Sequence, residues 1–226
     1  MLNYNNSIKI SRPDRFLNSV RHKIVVISLT ITLSGFSQSV PNKFSQLSAP
    51  IKTWVLLHPF KAKKAQQISI EANRVSDSIK KSNVLDGNAS GGQVDAFRHG
   101  YWMARLHQEI GKSAAKSLGK AHEKENKLMF EKRKSEDEIL PDQPSKKMDL
   151  FNNEIGLSLI SKDSKTPKSG LLFRVINSVL AGEMKIIKKD KKGNFLRCDG
   201  TQIVASELNG KWENEKCLVS SNQSIE

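Results

Sequence analysis

The feature that most constrains the fold is a series of helix-forming segments between Lys61 and Ala181, separated by breaks rich in glycine and proline. In the first segment Ile68, Ile70, Val75 and Ile79 recur at approximately helical spacing. Glycine and proline clusters end such segments because they favour turns over continued helix. Five helices are therefore predicted, over residues 61–81, 93–110, 113–134, 146–160 and 171–181. The expected fold class is mainly α, a helical bundle-like domain with a small C-terminal β-meander.

The chain ends in a segment of different character. After the fifth predicted helix, KIIKK, NFLRC and TQIV alternate with DKKG and DG turns, and KWENEKCLV follows. Short apolar runs between turn signals predict a β-meander over residues 184–226. The two cysteines, Cys198 and Cys217, are expected to form one disulfide if the protein is exported. The alternative is a pair of buried thiols, and two cysteines alone make a poor zinc site.

The N-terminus carries a pattern typical of a secretory signal peptide. Arg and Lys residues precede the apolar run Ile24 to Phe36, and small residues follow it, so cleavage is expected after Ser37 or Ser39. The run is too short to span a bilayer, which takes about 20 residues. No transmembrane span is therefore expected in the mature chain, which would be secreted or periplasmic. The alternative is that the run is a buried strand or helix of the domain.

These segments predict a division into four parts. Residues 1–37 form the signal peptide, and 38–60, with Pro41, Pro50 and Pro59, an irregular N-terminal segment. Residues 61–183 form the helical domain and residues 184–226 the β appendage. Within the fourth helix, Ser145 is the predicted N-cap, because a serine hydroxyl accepts a hydrogen bond from the first turn.

The net charge of +14 favours anionic partners but says nothing of the fold. Removal of the signal peptide after Ser37 would lower it to +10, since five Lys or Arg residues and one Asp lie in that segment. The lysines are spread along the chain without an aromatic and basic recognition motif. General surface basicity is therefore preferred to nucleic-acid binding, and an anionic substrate or surface is the expected partner. The oligomeric state does not follow from the sequence.

The second predicted helix contains QVDAFRHGYW, in which Asp95, Arg98, His99 and Trp102 can share one face. An Asp and a His four residues apart can bind one metal ion, or the Asp can orient a catalytic His. Arg98 suits an oxyanion or a phosphate, and Trp102 is expected to pack beneath the others. The alternative is an ordinary polar pair on an exposed helix.

The third predicted helix contains AHEKEN, with His122 and Glu123 adjacent and Asn126 four residues after the histidine. Because position 126 is Asn, the motif is not the H-E-x-x-H of zinc proteases. The pair can still supply one ligand and one base, whereas the alternative is a solvated charged helix.

The fourth predicted helix contains MDLFNNEIG, with Asp149, Asn152, Asn153 and Gly156 beside an apolar face. Asparagine is unfavourable inside a helix because it prefers turns and caps. Two adjacent asparagines therefore indicate a local use, such as metal ligation or the orientation of a histidine. Alternatively, the amides satisfy backbone groups at a helix junction.

Three successive helices thus carry polar sets that a bundle can bring together. The predicted metal ligands are Asp95, His99, His122, Asp149 and Asn153, for a divalent ion such as Zn²⁺, Mn²⁺ or Mg²⁺. The predicted catalytic residues are His99, His122, Glu123 and Arg98, and no organic cofactor site is expected. In a version without metal, His99 or His122 is the general base and a carboxylate orients it.

The patterns D-A-x-R-H-x-x-W, A-H-E and M-D-x-x-N-N-x-x-G, over about residues 85–160, together resemble those of a bacterial domain family of unknown function. The HPFKAKKA segment and the C-terminal tail resemble secreted proteins of the Bacteroidetes group that carry this domain. The resemblance supplies no reaction. It implies that the residues of the three motifs belong to one site.

The leading hypothesis is an exported hydrolase, with or without a divalent metal ion, of an anionic or polymeric substrate with a phosphodiester-type bond. A second hypothesis is a non-enzymatic envelope or secreted binding protein whose polar cluster cross-links helices. A third is a toxin-like effector that acts on nucleic acid, for which binding should depend strongly on salt. Whether the protein is an enzyme is left open by the sequence.

Overall fold

The computed structural model describes residues 44–132 and 140–223. It is mainly helical, as predicted. The helices are α1 (Ala49–Leu57), α2 (Pro59–Lys80), α3 (Gln93–Ile110), α4 (Lys112–Glu131), α5 (Gln143–Ser158), α6 (Lys168–Leu180) and the short α7 (Ala205–Leu208); the strands are β1 (Lys185–Ile187) and β2 (Leu218–Ser220). The predicted signal peptide lies outside the described residues. Within the described part of the chain, no helix combines the length and apolarity needed to cross a membrane.

Helix α3 is the centre of the domain, and α2, α4, α5 and α6 all pack against it. Most of its residues are buried, which a helix surrounded on all sides requires. Its apolar side chains join two core clusters, one with α2, α6 and β1 and the other with α1, α2, α4 and α5. Polar residues on such a helix are shielded from bulk water wherever they do not face a cleft.

Helices α3 and α5 cross with their backbones in contact at two glycines. A Cβ atom placed on Gly156 would lie 2.3 Å from the carbonyl oxygen of Gly100. Only glycine fits at such a crossing, because any side chain would overlap the facing backbone. The contact brings together the polar residues that precede each glycine in its helix.

The C-terminal segment is less regular than the predicted meander. Strands β1 and β2 pair antiparallel, with Ile186 opposite Val219. The NFLRC and TQIV segments make only isolated bridges, and α7 follows them. The predicted disulfide is present, since Cys198 and Cys217 are bonded with an S–S distance of 2.00 Å.

Two local predictions are wrong. The segment predicted to be irregular contains α1, with Pro50 in its first turn, while Pro59 lies in the first turn of α2. Proline fits these positions because first-turn amides have no intrahelical acceptor. The N-cap of α5 is Asp142, not Ser145. Its carboxylate accepts from the Ser145 N–H at 2.9 Å and from the Ser145 hydroxyl at 2.7 Å.

Candidate metal centre

The three polar motifs meet in one cleft between α3, α4 and α5. The turn before α3 and the segment that leads into α5 close its rim. The lining residues are Ala89, Ser90, Gly91, Asp95, Arg98, His99, His122, Glu123, Asn126, Leu140, Pro141, Asp142, Ser145, Lys146 and Asp149. Every predicted catalytic residue and four of the five predicted metal ligands therefore line it. The fifth, Asn153, lies behind His99.

His99 is buried at the centre of the site. Its Nδ1 lies 3.2 Å from the amide oxygen of Asn153, so a proton on Nδ1 is donated to that oxygen. On the opposite side of the ring, Nε2 lies 3.3 Å from Asp149 Oδ1 and 3.6 Å from Asp95 Oδ1. The amide of Asn153 thus fixes the ring so that Nε2 faces two carboxylates, the usual arrangement behind a metal-binding histidine.

The surroundings of His99 keep its imidazole neutral. Burial, together with the positive charges of Arg98 and His122, holds the pKa of His99 well below its usual range. A neutral imidazole is the form that binds a metal ion, because the ion needs the nitrogen lone pair.

The Asp95 carboxylate is bound by the turn before α3 and by Arg98 of the same helix. Its Oδ2 accepts from the Gly91 N–H at 2.7 Å, and its Oδ1 accepts from the Arg98 guanidinium at 2.7 Å. Gly91 has a φ of +76°, a conformation that favours glycine and turns its N–H toward the carboxylate. These bonds fix the position of the Asp95 carboxylate in the first turn of α3, where negative charge is favourable.

Asp149 is a buried carboxylate of the cleft with an oxygen that no described residue satisfies. It is buried, and among the described residues its Oδ1 has no hydrogen-bond donor. The 3.3 Å approach to His99 Nε2 is close but not aligned as a hydrogen bond. Burial, with the neighbouring carboxylates Asp95 and Glu123, raises the pKa of Asp149 well above its usual range.

Glu123 extends the acidic cluster onto α4. Its side chain is almost fully buried, at 1% exposure, and Oε1 has no hydrogen-bond partner among the described residues. Its Oε2 accepts a long bond of 3.4 Å from Asn126. Burial raises the pKa of Glu123 to about 7, although the charge of His122 and the bond from Asn126 act against it. A carboxyl group with such a pKa exchanges a proton near neutral pH.

His122 lies at the edge of the site rather than at its centre. Its ring is 6.3 Å from that of His99, and its Nδ1 lies 3.6 Å from Glu125. Trp102 packs edge-on against both histidines, at 5.6 Å from His122 and 6.4 Å from His99, and donates from Nε1 to Ser69. The tryptophan therefore packs beneath the histidines, as predicted.

Three residues have the geometry of a metal-binding group. Among the described residues, Asp95, His99 and Asp149 each offer one ligand atom, and these atoms all lie within 4.8 Å of one another. His122 is not in this group, and Asn153 contacts the far side of the imidazole. A divalent ion at the three atoms would compensate the buried negative charge and give Asp149 Oδ1 a partner.

Asp142 forms a side of the cleft that was not predicted from the sequence. Besides capping α5, this carboxylate lies 2.6 Å from the ammonium of Lys216, and both side chains are buried. Burial alone would raise the pKa of Asp142, but the charge of Lys216 and the bonds from Ser145 outweigh it and lower that pKa. An Asp three residues before Ser145 was a visible N-cap signal. Nothing in the sequence pointed to Lys216.

A protein-family model described as a domain of unknown function (DUF6973) matches residues 52–183, more than half of the chain. The chain belongs to the DUF6973 family. The resemblance inferred from the motifs is thus confirmed at the level of a domain of unknown function. No curated protein and no solved structure matches the chain. The DUF6973 segment contains Asp95, His99, Glu123 and Asp149, whereas Lys216 and the disulfide lie in the tail that follows it.

Proposed function

We propose that this DUF6973 protein is an exported bacterial hydrolase that uses a divalent metal ion to cleave an anionic, phosphodiester-type substrate. The observation that carries the proposal is the group formed by Asp95, His99 and Asp149, whose ligand atoms lie within 4.8 Å of one another. The group lines the cleft between α3, α4 and α5, together with Arg98, His122 and Glu123.

The composition of the group suits a particular set of ions. One imidazole nitrogen and two carboxylates form a mixed ligand set, which favours Zn²⁺ or Mn²⁺ over Mg²⁺. Three protein ligands also leave positions for water or substrate, as catalytic sites require. When bound, such an ion lowers the pKa of a water ligand and polarises the bond to be cleaved.

Two groups of the chain suit proton transfer beside the ion. Glu123, with a pKa of about 7, can take a proton from the attacking water at neutral pH. His122 is partly exposed at the cleft wall and suits protonation of the leaving group. Neither role requires the residue to be a metal ligand.

Arg98 is the candidate contact for the substrate anion. Its side chain is 32% exposed in the cleft while one of its nitrogens pairs with Asp95. A guanidinium carries several donors, which suit the non-bridging oxygens of a phosphodiester, whose charge grows in the transition state. Lys146 adds positive charge at the same rim.

The first experiment measures metal binding by calorimetry with Zn²⁺, Mn²⁺ and Mg²⁺. We expect one ion per chain with the wild type and a loss of affinity of about 100-fold or more in Asp149→Asn, because a ligand charge is removed. Asp77→Asn, at an exposed position on α2, is the matched control and should bind as the wild type does. If the wild type binds no divalent ion, the metal-dependent function is wrong.

The second experiment measures hydrolysis of an activated phosphodiester with the metal-loaded protein. His99→Ala and His122→Ala are expected to lose activity while the protein stays folded. A non-enzymatic binding protein predicts the opposite pattern. In that case the wild type is inactive on diesters, and His99→Ala mainly lowers the Tm because it leaves the amide oxygen of Asn153 without its donor.

Export is supported by the apolar run Ile24 to Phe36 after a basic segment. Expression of the full chain in a bacterium should give a mature protein that begins after Ser37 or Ser39, detected by intact mass. A cytoplasmic product that retains Met1 would contradict export.

A further inference from the structure

The turn between α1 and α2 presents large apolar side chains to solvent. Leu56 is 69% exposed, Leu57 72% and Phe60 99%. These three lie within five consecutive residues. A cluster of this kind on a protein surface is usually covered by a partner or a membrane, because its exposure to water is unfavourable.

The turn is held in place despite its exposed residues. Trp54 is buried against α4, and its indole N–H donates to Ser117 at 2.9 Å and to the Ala114 carbonyl at 3.2 Å. His58 stacks on Trp54 with ring centroids 4.6 Å apart, and its Nδ1 lies 3.0 Å from the Trp54 carbonyl oxygen. The apolar side chains are therefore presented by an anchored turn between two helices.

Positive charge lies beside the apolar cluster, on α2. Lys61, Lys63 and Lys64 are exposed on the first turns of α2, and Lys63 and Lys64 lie three and four residues after Phe60, on its side of the helix. No Asp or Glu occurs between Phe44 and Ile70. Lys64 lies 3.5 Å from Glu109 of α3, which leaves the other two lysines as the main cations beside the cluster.

We propose that this α1–α2 corner, comprising Leu56, Leu57, Phe60, Lys61, Lys63 and Lys64, docks on the surface of a bilayer that contains anionic phospholipids. The leucines and the phenylalanine insert among the acyl chains just below the headgroups. The lysines stay at the headgroup level and contact lipid phosphates, with their alkyl chains along the apolar region.

Charge argues against a second copy of the chain as the occupant. A twofold dimer through this corner would place the lysines of one chain against those of the other. Three side chains also cover less than the roughly 800 Å² per partner that stable interfaces bury. A bilayer requires no such area, because shallow insertion of a few side chains adds to the attraction of the lysines.

The test is co-sedimentation of the full chain with vesicles of phosphatidylcholine alone or with about 30% phosphatidylglycerol. We expect the wild type to bind the vesicles with phosphatidylglycerol at least about tenfold more tightly than the vesicles of phosphatidylcholine alone. The triple variant Leu56→Ser, Leu57→Ser, Phe60→Ser should lose about tenfold or more in binding to the anionic vesicles. Phe173→Ser, which removes a 62% exposed phenylalanine from α6, is the apolar control and should bind as the wild type does.

The charge component is tested separately. Lys61→Glu with Lys63→Glu should abolish the preference for anionic vesicles, because each lysine near the surface contributes about fivefold to binding. Lys191→Glu with Lys192→Glu changes the net charge equally at an exposed turn and should retain the preference.

Three results would overturn the proposal. Equal binding by the triple variant and the wild type would assign membrane attachment to another segment, such as residues 24–36. An equal loss of the preference for anionic vesicles in both charge variants would assign membrane binding to net charge alone. A dimer in solution that the triple variant abolishes would identify a second copy as the occupant. None of these results bears on the metal site, which lies in the cleft between α3, α4 and α5.

Discussion

Gly156 of α5 lies so close to Gly100 of α3 that a Cβ atom at position 156 would be 2.8 Å from the Gly100 Cα and 2.3 Å from its carbonyl oxygen. His99 directly precedes Gly100, and Asn153 lies one turn before Gly156. The separation of the two helices at this crossing therefore sets the 3.2 Å distance between His99 Nδ1 and Asn153 Oδ1.

Gly156→Ala should destabilise the protein by about 2 kcal/mol or more, since the added methyl group meets rigid backbone rather than a movable side chain. Urea unfolding checks the free energy of unfolding. Gly170→Ala on α6 is the control, because its Cβ would have ordinary contacts of 3.4 Å or more. It should be neutral or slightly stabilising through helix propensity. Similar stabilities of the two variants would show that α3 and α5 can separate at no cost.

The hydrogen bond that His99 Nδ1 donates to Asn153 predicts an effect on metal affinity. Asn153→Leu should weaken Zn²⁺ binding about 10- to 100-fold, because the imidazole loses the acceptor that fixes its orientation. The measurement is calorimetric titration of the folded variant.

Asn152→Leu is the matched control at the next position. The Asn152 amide bonds both the N–H and the carbonyl of Lys185, at 2.8 and 2.9 Å, and does not contact His99. Its loss should lower the Tm through unpaired backbone groups of β1 while the Zn²⁺ affinity stays unchanged. Equal effects of the two variants on affinity would mean that Asn153 does not act through the histidine.

These two asparagines also show how far the sequence could be interpreted. Their unfavourable place inside a helix indicates a local use, which is orientation of a histidine, satisfaction of backbone groups or ligation of a metal. The structure shows the first for Asn153 and the second for Asn152. The sequence could not assign these roles to the two asparagines. Their side chains contact different neighbours, and the packing of α5 on α3 and β1 determines which neighbour each one meets.

The helices themselves were predictable because apolar spacing and Gly or Pro breaks are local signals. Helix α1 was not predicted because Pro50 and Pro59 indicate breaks, although proline is compatible with a first turn. Lys216 was missed for a different reason. Its partner Asp142 is 74 residues away, and such a pair has no periodic signature.

The raised pKa of Glu123 predicts a pH-dependent stability. Its carboxyl group has a pKa of 4.5 when exposed and a pKa of about 7 in the fold, so the folded protein binds the proton more tightly. The contribution of Glu123 is therefore most favourable below about pH 4.5 and is lost as the pH rises through 7. The total loss in free energy of unfolding between these pH values is on the order of 3 kcal/mol.

Glu123→Gln mimics the protonated form and should remove this loss. The difference in free energy of unfolding between the variant and the wild type, without added metal, is expected to grow from about pH 4.5 to about pH 7.5 in favour of the variant. The lowered pKa of His99 makes the folded protein less stable as the pH falls, which is the opposite of the effect of Glu123. Because His99 is present in both proteins, its contribution cancels in the difference. Glu131→Gln, at an exposed position of α4, should show no such trend. If the free energies of unfolding of Glu123→Gln and the wild type change with pH in parallel, Glu123 does not act as a general base near neutral pH.

The disulfide between Cys198 and Cys217 predicts a loss of stability on reduction. It joins residues 19 apart in the tail that carries Lys216. Replacement of both cysteines by serine should lower the free energy of unfolding by about 3 kcal/mol, because the unfolded chain regains the entropy of the open loop. Thermal unfolding with and without dithiothreitol checks this. The reductant should lower the Tm of the wild type only, and a Tm insensitive to reduction would contradict the prediction.

The ion pair between Lys216 and Asp142 predicts that the tail stabilises one side of the cleft. The Lys216 ammonium lies 2.6 Å from Asp142 Oδ2 and 3.8 Å from the centroid of the Phe195 ring. Lys216→Met should cost about 3 kcal/mol, because it leaves a buried carboxylate without its counter-ion. The exposed substitution Lys192→Met is the control.

The double variant Asp142→Asn with Lys216→Met distinguishes an ion pair from loss of packing. If the cost arises from the unpaired carboxylate, the double variant should be more stable than Lys216→Met alone, because the substituted amide is neutral and can still cap α5. Urea unfolding of the two single variants and the double variant gives the coupling free energy. Additive losses would mean that Lys216 acts through its contact with Phe195, and that the charge of Asp142 does not depend on the tail.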